Sequence, residues 1–392
     1  AVSFKGKRVL IRIDFNVPLD ANFKITDNSR ILGAIPTIKM VIAGGGKVIL
    51  ISHLGRPKNG PENCFSLKHL VNHLSTVLEV DVAFANNCIG ETAETAINNL
   101  EEGGVLLLEN LRFHSEEKMG DTVFAKQLAN LADIYINDAF GTAHRSHASN
   151  MGVSAIINET AIGFLMEKEL KYLVDTMKNP EQPCVVILGG AKIGDKITLI
   201  HNLMEKADAI LIGGAMAFTF LKVQGKNVGA SLIDQDNLNT AEDILTLAEK
   251  TNTNIVLPFD VVASPKLSED ATWRITDLDQ LKTGEAGYDI GPETTMEFEM
   301  ILSNAKTIFW NGPLGVSEIP AFSTGTQAIA SAVIGRTEEG AISIIGGGDT
   351  ASALKQYGLE GGITHISTGG GASLQLMSGK QLPALEALQE YA

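Results

Sequence analysis

Short apolar runs, continuous rather than alternating, recur along the chain with helical stretches between them. In the first half they fall at 8–15 (RVLIRIDF), 47–53 (KVILISH), 80–85, 105–110 (VLLLEN) and 134–139 (IYINDA). A second series occupies 184–190 (CVVILGG), 209–215 (AILIGGA), 254–260, 307–312 (TIFWNG), 341–347 and 363–369. Strands apolar on both faces are covered on both faces, and their alternation with helices predicts parallel sheets in an α/β fold. So many strands in 392 residues exceed one compact core, and two doubly wound domains account for them. Between the series, Ile162, Leu165, Met166, Leu170, Leu173, Val174 and Met177 follow helical spacing, with Pro180 and Pro183 beyond. That spacing predicts one helix over 161–178 joining the domains.

In open parallel sheets, ligands bind beyond the carboxyl ends of the strands, and the chemistry-bearing residues gather there. The run SIIGGGDTAS, 343–352, reads as a strand, a glycine turn and a helix start, a geometry that turns free backbone N–H groups toward an anion. Its Gly346, Gly348 and Ala351 formally fit a dinucleotide fingerprint, but the acid which that fingerprint wants after the next strand is missing from HISTGGG. An NAD-dependent dehydrogenase is disfavoured for that reason. Asp349, an anion in an anion cradle, reads either as a helix N-cap or as part of a site. GGAKIGDK, 189–196, fails the P-loop spacing, yet Lys192 and Lys196 fall one helical turn apart, predicted on one face. IGGAMA (212–217) and STGGGAS (367–373) are further glycine junctions, and WNGPLGVSE (310–318) adds Glu318. Several glycine turns at one sheet edge point to close backbone approach to a polyphosphate nucleotide.

Charge sharpens the first half. The chain carries a net charge of −15, which argues against nucleic acid or an anionic membrane as partner. Yet six of its eight arginines precede residue 150. Arg30, Arg56, Arg112 and Arg145 accompany Asp14, Asn16, His53, His114, His144 and His147 near strand ends. The guanidinium fork suits carboxylate and phosphate, so this half is expected to capture a small, highly charged anion. The spacing of His144 and His147 lacks carboxylate support for a metal. Three widely spaced cysteines suggest a reducing compartment without disulfides. With no signal-peptide pattern and no bilayer-length apolar run, the cytoplasm is the expected location. No Ser-His-Asp arrangement or reactive-cysteine context is recognisable, so transfer between two bound anions is expected rather than covalent catalysis.

The segments GKRVLIRIDFNVPL, SHLGRP, LLLENLRFH, NDAFGTAHRSHAS, GGAKIGDKI, LIGGAMAFTFL, WNGPLGVSE, GGGDTASAL and STGGGASLQLMSGKQLPAL, in this order, resemble the phosphoglycerate kinase family over essentially the whole chain. The resemblance implies two Rossmann-like domains with a cleft between them: a glycerate-binding domain at 1–160, the helix 161–178 and a nucleotide-binding domain at 179–375. It implies a tail at 376–392 that packs on the first domain. It implies reversible phosphoryl transfer between 1,3-bisphosphoglycerate and ADP, giving 3-phosphoglycerate and ATP, with Mg²⁺ accompanying the nucleotide. Asp14, Asn16, Arg30, His53, Arg56, Arg112 and Arg145 match the family's substrate-binding positions. Lys196, Gly213, Gly214, Asn311, Glu318, Gly347, Gly348, Asp349 and Thr350 match its nucleotide positions, with Asp349 directed at the metal. Arg30, Lys192, Gly348 and Gly371 are expected to grip the transferring group, in a monomer acting on small molecules. The alternative is a non-catalytic nucleotide-binding or scaffold protein of the same fold.

Overall fold

The computed structural model describes residues 3–58 and 60–388. Two six-stranded parallel sheets carry it, as the continuous apolar runs require. Strands β1 (Arg8–Ile13), β2 (Lys47–Ile51), β3 (Val82–Ala85), β4 (Val105–Leu108), β5 (Ile134–Asp138) and β6 (Thr160–Ile162) form the first, in the order β3-β4-β2-β1-β5-β6. The second holds β7 (Cys184–Leu188), β8 (Ala209–Ile212), β9 (Asn254–Val256), β13 (Thr307–Asn311), β14 (Ile342–Gly346) and β15 (His365–Ile366), in the order β15-β14-β13-β7-β8-β9. β10 (Asp260–Ser264), β11 (Arg274–Asp277) and β12 (Ala286–Ile290) make a separate antiparallel sheet.

Contacts divide the chain into two compact units, one running to Leu170 and taking back the segment from Gln381, the other Lys171–Lys380. Each has its own core. Val9, Ile11 and Ile13 pack with Val48, Leu50, Ile31 and Ile38 in the first. In the second, Val185 and Ile187 pack with Trp310, Ile308 and Ile345. In each sheet the chain works outward from one central strand and then returns to its other side. β1 is flanked by β2 and β5, with Val9 level with Val48 and Ile134. β7 is flanked by β8 and β13, with Val185 level with Ala209 and Ile308. Such a reversal leaves a crevice outside the carboxyl ends of the central strands.

One expectation needs correction. The segment 161–178 is helical only from Phe164 onward, and its winding changes midway. Thr160–Ile162 pairs with β5, the helix runs Phe164–Leu170, and wider π-helical turns follow over Lys171–Thr176. The buried Asp138 stops the helix pattern from reaching back to 161, because its Oδ1 accepts the Met166 N–H at 3.0 Å and pins the helix start. Beyond the change in winding, Tyr172 stacks on His365 of the second unit, ring centroids 4.9 Å apart. Residues 264–288, outside every predicted apolar run, supply β11 and the start of β12. Their side chains alternate between buried and exposed only weakly, so the run carries no strand period. In the tail, Ala384 donates its N–H to the Ala143 carbonyl of the first unit at 3.2 Å. Residues 389–392 of the expected tail lie outside the described residues.

At the second crevice the backbones of β7 and β13 nearly touch. Gly189 donates to the Asn311 carbonyl at 3.0 Å and Gly190 to the Pro313 carbonyl at 3.0 Å. Gly312 sits at φ +99°, and a Cβ there would be driven into the Gly189 carbonyl. At Gly348, by contrast, a Cβ meets nothing within 4 Å. Gly312→Ala is therefore expected to cost about 2 kcal/mol or more of stability, while Gly348→Ala stays within about 0.5 kcal/mol. Thermal unfolding of the two variants side by side checks this, and equal melting temperatures would refute it.

Candidate active site

In the first unit, four of the predicted residues join in one hydrogen-bonded set beside the carboxyl ends of β1 and β2, with His53 next to it. Arg30, in the helix Ser29–Ala43, donates from Nη1 to Asp14 Oδ2 at 3.0 Å and to the Asn16 carbonyl at 3.2 Å. Asn16 Oδ1 accepts the Gly55 N–H at 2.8 Å, and the Gly55 carbonyl accepts from Arg112 Nη1 at 2.7 Å. His53 Nδ1 lies 3.8 Å from Asp14 Oδ1 and 3.3 Å from Arg12 Nη2. Arg145 meets His144 at 3.2 Å. Arg56 follows Gly55 on the exposed loop.

The field here decides protonation. Burial first, and then Arg12, Arg112, Arg30 and Arg145, hold the His53 pKa well below the ordinary imidazole value. His53 is therefore neutral, and its 3.8 Å approach to Asp14 is no ion pair. A guanidinium only donates, so Nδ1 is the acceptor and Nε2 carries the proton. Arg112 is pushed down to about 10 by burial and by its neighbours Arg145 and Arg12, and its buried Nε has no hydrogen-bond partner among the described residues. Like charges confined in this way are relieved by an anion.

Sequence reasoning missed Arg12, Glu117 and Ser149. Arg12 is fully buried in β1, donating from Nε to Ser149 Oγ at 2.9 Å. Its signal was available: a lone arginine inside the apolar run VLIRI.

In the second unit the predicted residues gather at the ends of β7, β8, β13 and β14. Lys196 is buried and donates to both the side-chain and main-chain oxygens of Asn311. Burial lowers its pKa to about 8, against the opposing pull of Asp349 and Asp195. Thr350 Oγ1 accepts the Gly312 N–H at 2.7 Å, tying β13 to the turn after β14. Gly214 donates to the Leu314 carbonyl and Gly213 to the Leu188 carbonyl, both at 2.8 Å. The helices Gly348–Gln356 and Gly370–Met377 begin close together, since a Cβ on Gly370 would lie 4.0 Å from the Gly348 nitrogen. Gly371 and Glu318 are exposed.

Two local readings change. Lys192 and Lys196 do not share a helical face: Lys192 lies exposed on the loop after Gly190, and the α-helix begins only at Ile197. The tight turn at Gly189–Gly190 delays the helix and turns Lys196 inward. Nor is Asp349 a helix cap. Gly347, at φ +91°, holds the cap position, and Asp349 stands exposed in the first turn. A groove of about 400 Å³ lined by Leu221, Lys226, Phe259, Asp277 and Glu297 includes none of the predicted residues. The glycine-lined crevice has the chemistry that this groove lacks.

The family model for phosphoglycerate kinase matches residues 1–380. The chain belongs to the phosphoglycerate kinase family. It is 51% identical to the phosphoglycerate kinase of Prosthecochloris aestuarii, over 99% of this chain and 98% of that one. It is 49% identical to the chloroplastic phosphoglycerate kinase 1 of Arabidopsis thaliana, over 100% of this chain and 81% of that one. Among solved structures it is similar to phosphoglycerate kinase from Coxiella burnetii, with a TM-score of 0.90 and 39% identity over 100% of this chain and 98% of that one. The Pyrococcus horikoshii enzyme gives 0.84 and 33%, over 99% and 97%. As a member of this phosphoglycerate kinase family the chain is a phosphotransferase.

The protonation state of His53 is directly measurable. Nitrogen-15 NMR titration should find the His53 ring neutral, protonated on Nε2, with a pKa well below 6.5. Arg112→Met should move that pKa upward; an unchanged value would show that the guanidinium field does not act on the ring.

Proposed function

We propose that the first unit binds 3-phosphoglycerate or 1,3-bisphosphoglycerate and the second binds ADP or ATP, with a phosphoryl group passing directly between them. Asp14, Asn16, Arg30, His53, Arg56, Arg112 and Arg145 hold the glycerate ligand. Lys196, Gly213, Gly214, Asn311, Glu318 and the turn Gly347–Thr350 hold the nucleotide. The observation that carries this reading is the linked set of Asp14, Asn16, Arg30 and Arg112, with Arg12 against His53 and the buried Arg112 Nε unpartnered among the described residues. Such a set has few uses other than a small polyanion.

The chemistry asks little of the protein beyond placement. The acceptor carboxylate is ionised at neutral pH and needs no general base. The transition state is loose, so catalysis consists of aligning both ends and stabilising charge on the group in flight. Arg30 and Lys192 grip that group, supported by the backbone N–H groups of Gly348 and Gly371. Direct transfer requires the units to close over their ligands and exclude water, which would otherwise hydrolyse the acyl phosphate.

Asp349 suits Mg²⁺, which binds through one or two carboxylates together with substrate phosphates. It is exposed at the mouth of a phosphate-type turn, and among the described residues no cluster of three acidic, histidine or cysteine ligands forms a stand-alone metal site. When bound with the nucleotide, the ion neutralises phosphate charge. The enzyme acts as a monomer on small molecules. No described helix is long and apolar enough to cross a membrane. The cytoplasm fits this reading, and the chloroplastic relatives show that the family is not confined to it.

The test follows ADP formation from ATP, Mg²⁺ and 3-phosphoglycerate, omitting each in turn. Turnover that persists without the glycerate or without Mg²⁺ would sink the assignment. Arg30→Ala should lower kcat on the order of 10³-fold while weakening 3-phosphoglycerate binding far less, because its contact strengthens in the transition state. The opposite split would make Arg30 a ground-state anchor.

Lys196 sets a pH dependence. Its folded pKa, about 8, lies below the ordinary lysine value of 10.5, so the free protein loses this cation as pH rises through 8. ADP affinity should accordingly fall between pH 7 and pH 9. Folding stability moves the other way, rising between pH 8 and 10.5, since there the unfolded chain binds the extra proton. Calorimetric ADP titrations over this range check the first point. The weaker binding of Lys196→Met should show no break near pH 8, and a break retained in that variant would assign it to another group.

A further inference from the structure

Glu117 is the least expected charge in the first unit. Its side chain is fully buried, and among the described residues no lysine or arginine comes within ion-pair distance of it; only His147 approaches, at 3.6 Å. Both of its oxygens serve one residue. Oε2 accepts the Ser149 backbone N–H at 2.9 Å, and Oε1 accepts the Ser149 hydroxyl at 2.6 Å. The Ser149 oxygen in turn accepts from Arg12 Nε at 2.9 Å. Arg12 donates its other N–H groups to the Ile13 carbonyl and to His53 Nδ1. Tyr135 steadies the same turn by donating its hydroxyl to the Ser149 carbonyl at 2.7 Å. Arg12, Ser149 and Tyr135 are all fully buried.

The direction of each bond follows from proton counting. A serine hydroxyl has one proton to give, and Glu117 takes it. The lone pairs that remain face Arg12. The carboxylate therefore makes Ser149 an obligatory acceptor for Nε, and this fixes the guanidinium plane that sets the tautomer of His53. A glutamine at position 117 has one acceptor oxygen for two Ser149 donors, so its NH2 either opposes the Ser149 N–H or donates to the Ser149 oxygen in competition with Arg12 Nε.

We propose that Glu117 and Ser149 are positioning residues of the glycerate site, acting on the ligand only through Arg12 and His53. This rests on the reading of that site given above. Simple charge and positioning predict opposite results. If Glu117 were only a background negative charge, neutralising it would tighten the binding of an anion. If it holds Arg12 in place, neutralising it weakens binding.

The experiment titrates 3-phosphoglycerate into the full-length protein by calorimetry, for wild type, Glu117→Gln, Ser149→Ala, the double variant and Arg112→Ala. Glu117→Gln and Ser149→Ala should each bind about tenfold more weakly, and the double variant should bind little worse than either. In the ligand-free proteins, the Arg12 Nε–H resonance should be protected from solvent exchange in wild type and lose that protection in both single variants. Cooperative thermal unfolding near the wild-type temperature in the single variants separates this pairing from a loss of fold, which would produce both effects. Should Glu117→Gln fail to fold, Ser149→Ala, which removes only the hydroxyl, carries the test. Binding equal to or tighter than wild type in both single variants overturns the proposal. If wild type does not bind the ligand, or Arg112→Ala leaves binding unchanged, the glycerate site itself is wrong and the positioning role falls with it. The Arg12 resonance, which needs no ligand, tells these two failures apart.

Discussion

A parallel sheet gathers all of its carboxyl ends on one edge. Helices cover both faces of the strands but not that edge, so the residues there are held by rigid backbone and still reach solvent. Both halves of this chain use that constraint. β1 and β2, buried beyond their first residues, run into Asp14, Asn16, His53 and Gly55. β7 and β13 run into Gly189, Gly190, Asn311 and Gly312. In each sheet the strand order reverses about one central strand, β1 or β7, and the site residues lie beside it.

The two edges then solve different problems. The first concentrates side-chain charge, and the cost shows in Arg112, lowered to about 10 by burial and by its arginine neighbours. Two carboxylates moderate that repulsion: Asp14 pairs directly with Arg30, while Glu117 reaches Arg12 through Ser149. The second edge concentrates backbone instead. Its glycines bring N–H groups and carbonyls close, and its one buried lysine is held near the limit of its charged range. A carboxylate in such a turn, puzzling against a phosphate alone, is consistent with a nucleotide that arrives with a cation. Asp349 also opposes the effect of burial on Lys196.

Much of this was legible in the sequence because it rests on local pattern. Continuous apolar runs located both parallel sheets, and the glycines and arginines at their ends located both edges. What was illegible depends on contacts between distant residues. β11 and β12 lack a clear buried face, so neither period nor composition announced them. The late start of the 161–178 helix is set by Asp138, which lies far back in the chain. Lys192 and Lys196 have helical spacing, but spacing says nothing of where a helix begins, and a tight glycine turn delays it. Glu117 sits among other acids in SEEK, and only the fold brings it to Ser149, 32 residues on.

That last contrast reaches beyond one residue. Groups that touch a ligand are drawn from a short chemical menu, and placement at strand ends makes them recognisable. Groups that orient them are chosen for a single hydrogen bond in a single fold, and any buried acceptor of the right shape would serve. The serine at 149 is read as an ordinary loop residue until its hydroxyl is found between a carboxylate and a guanidinium, with a proton to give in only one direction. Counting protons along buried chains of this kind therefore recovers functional residues that motif reading passes over.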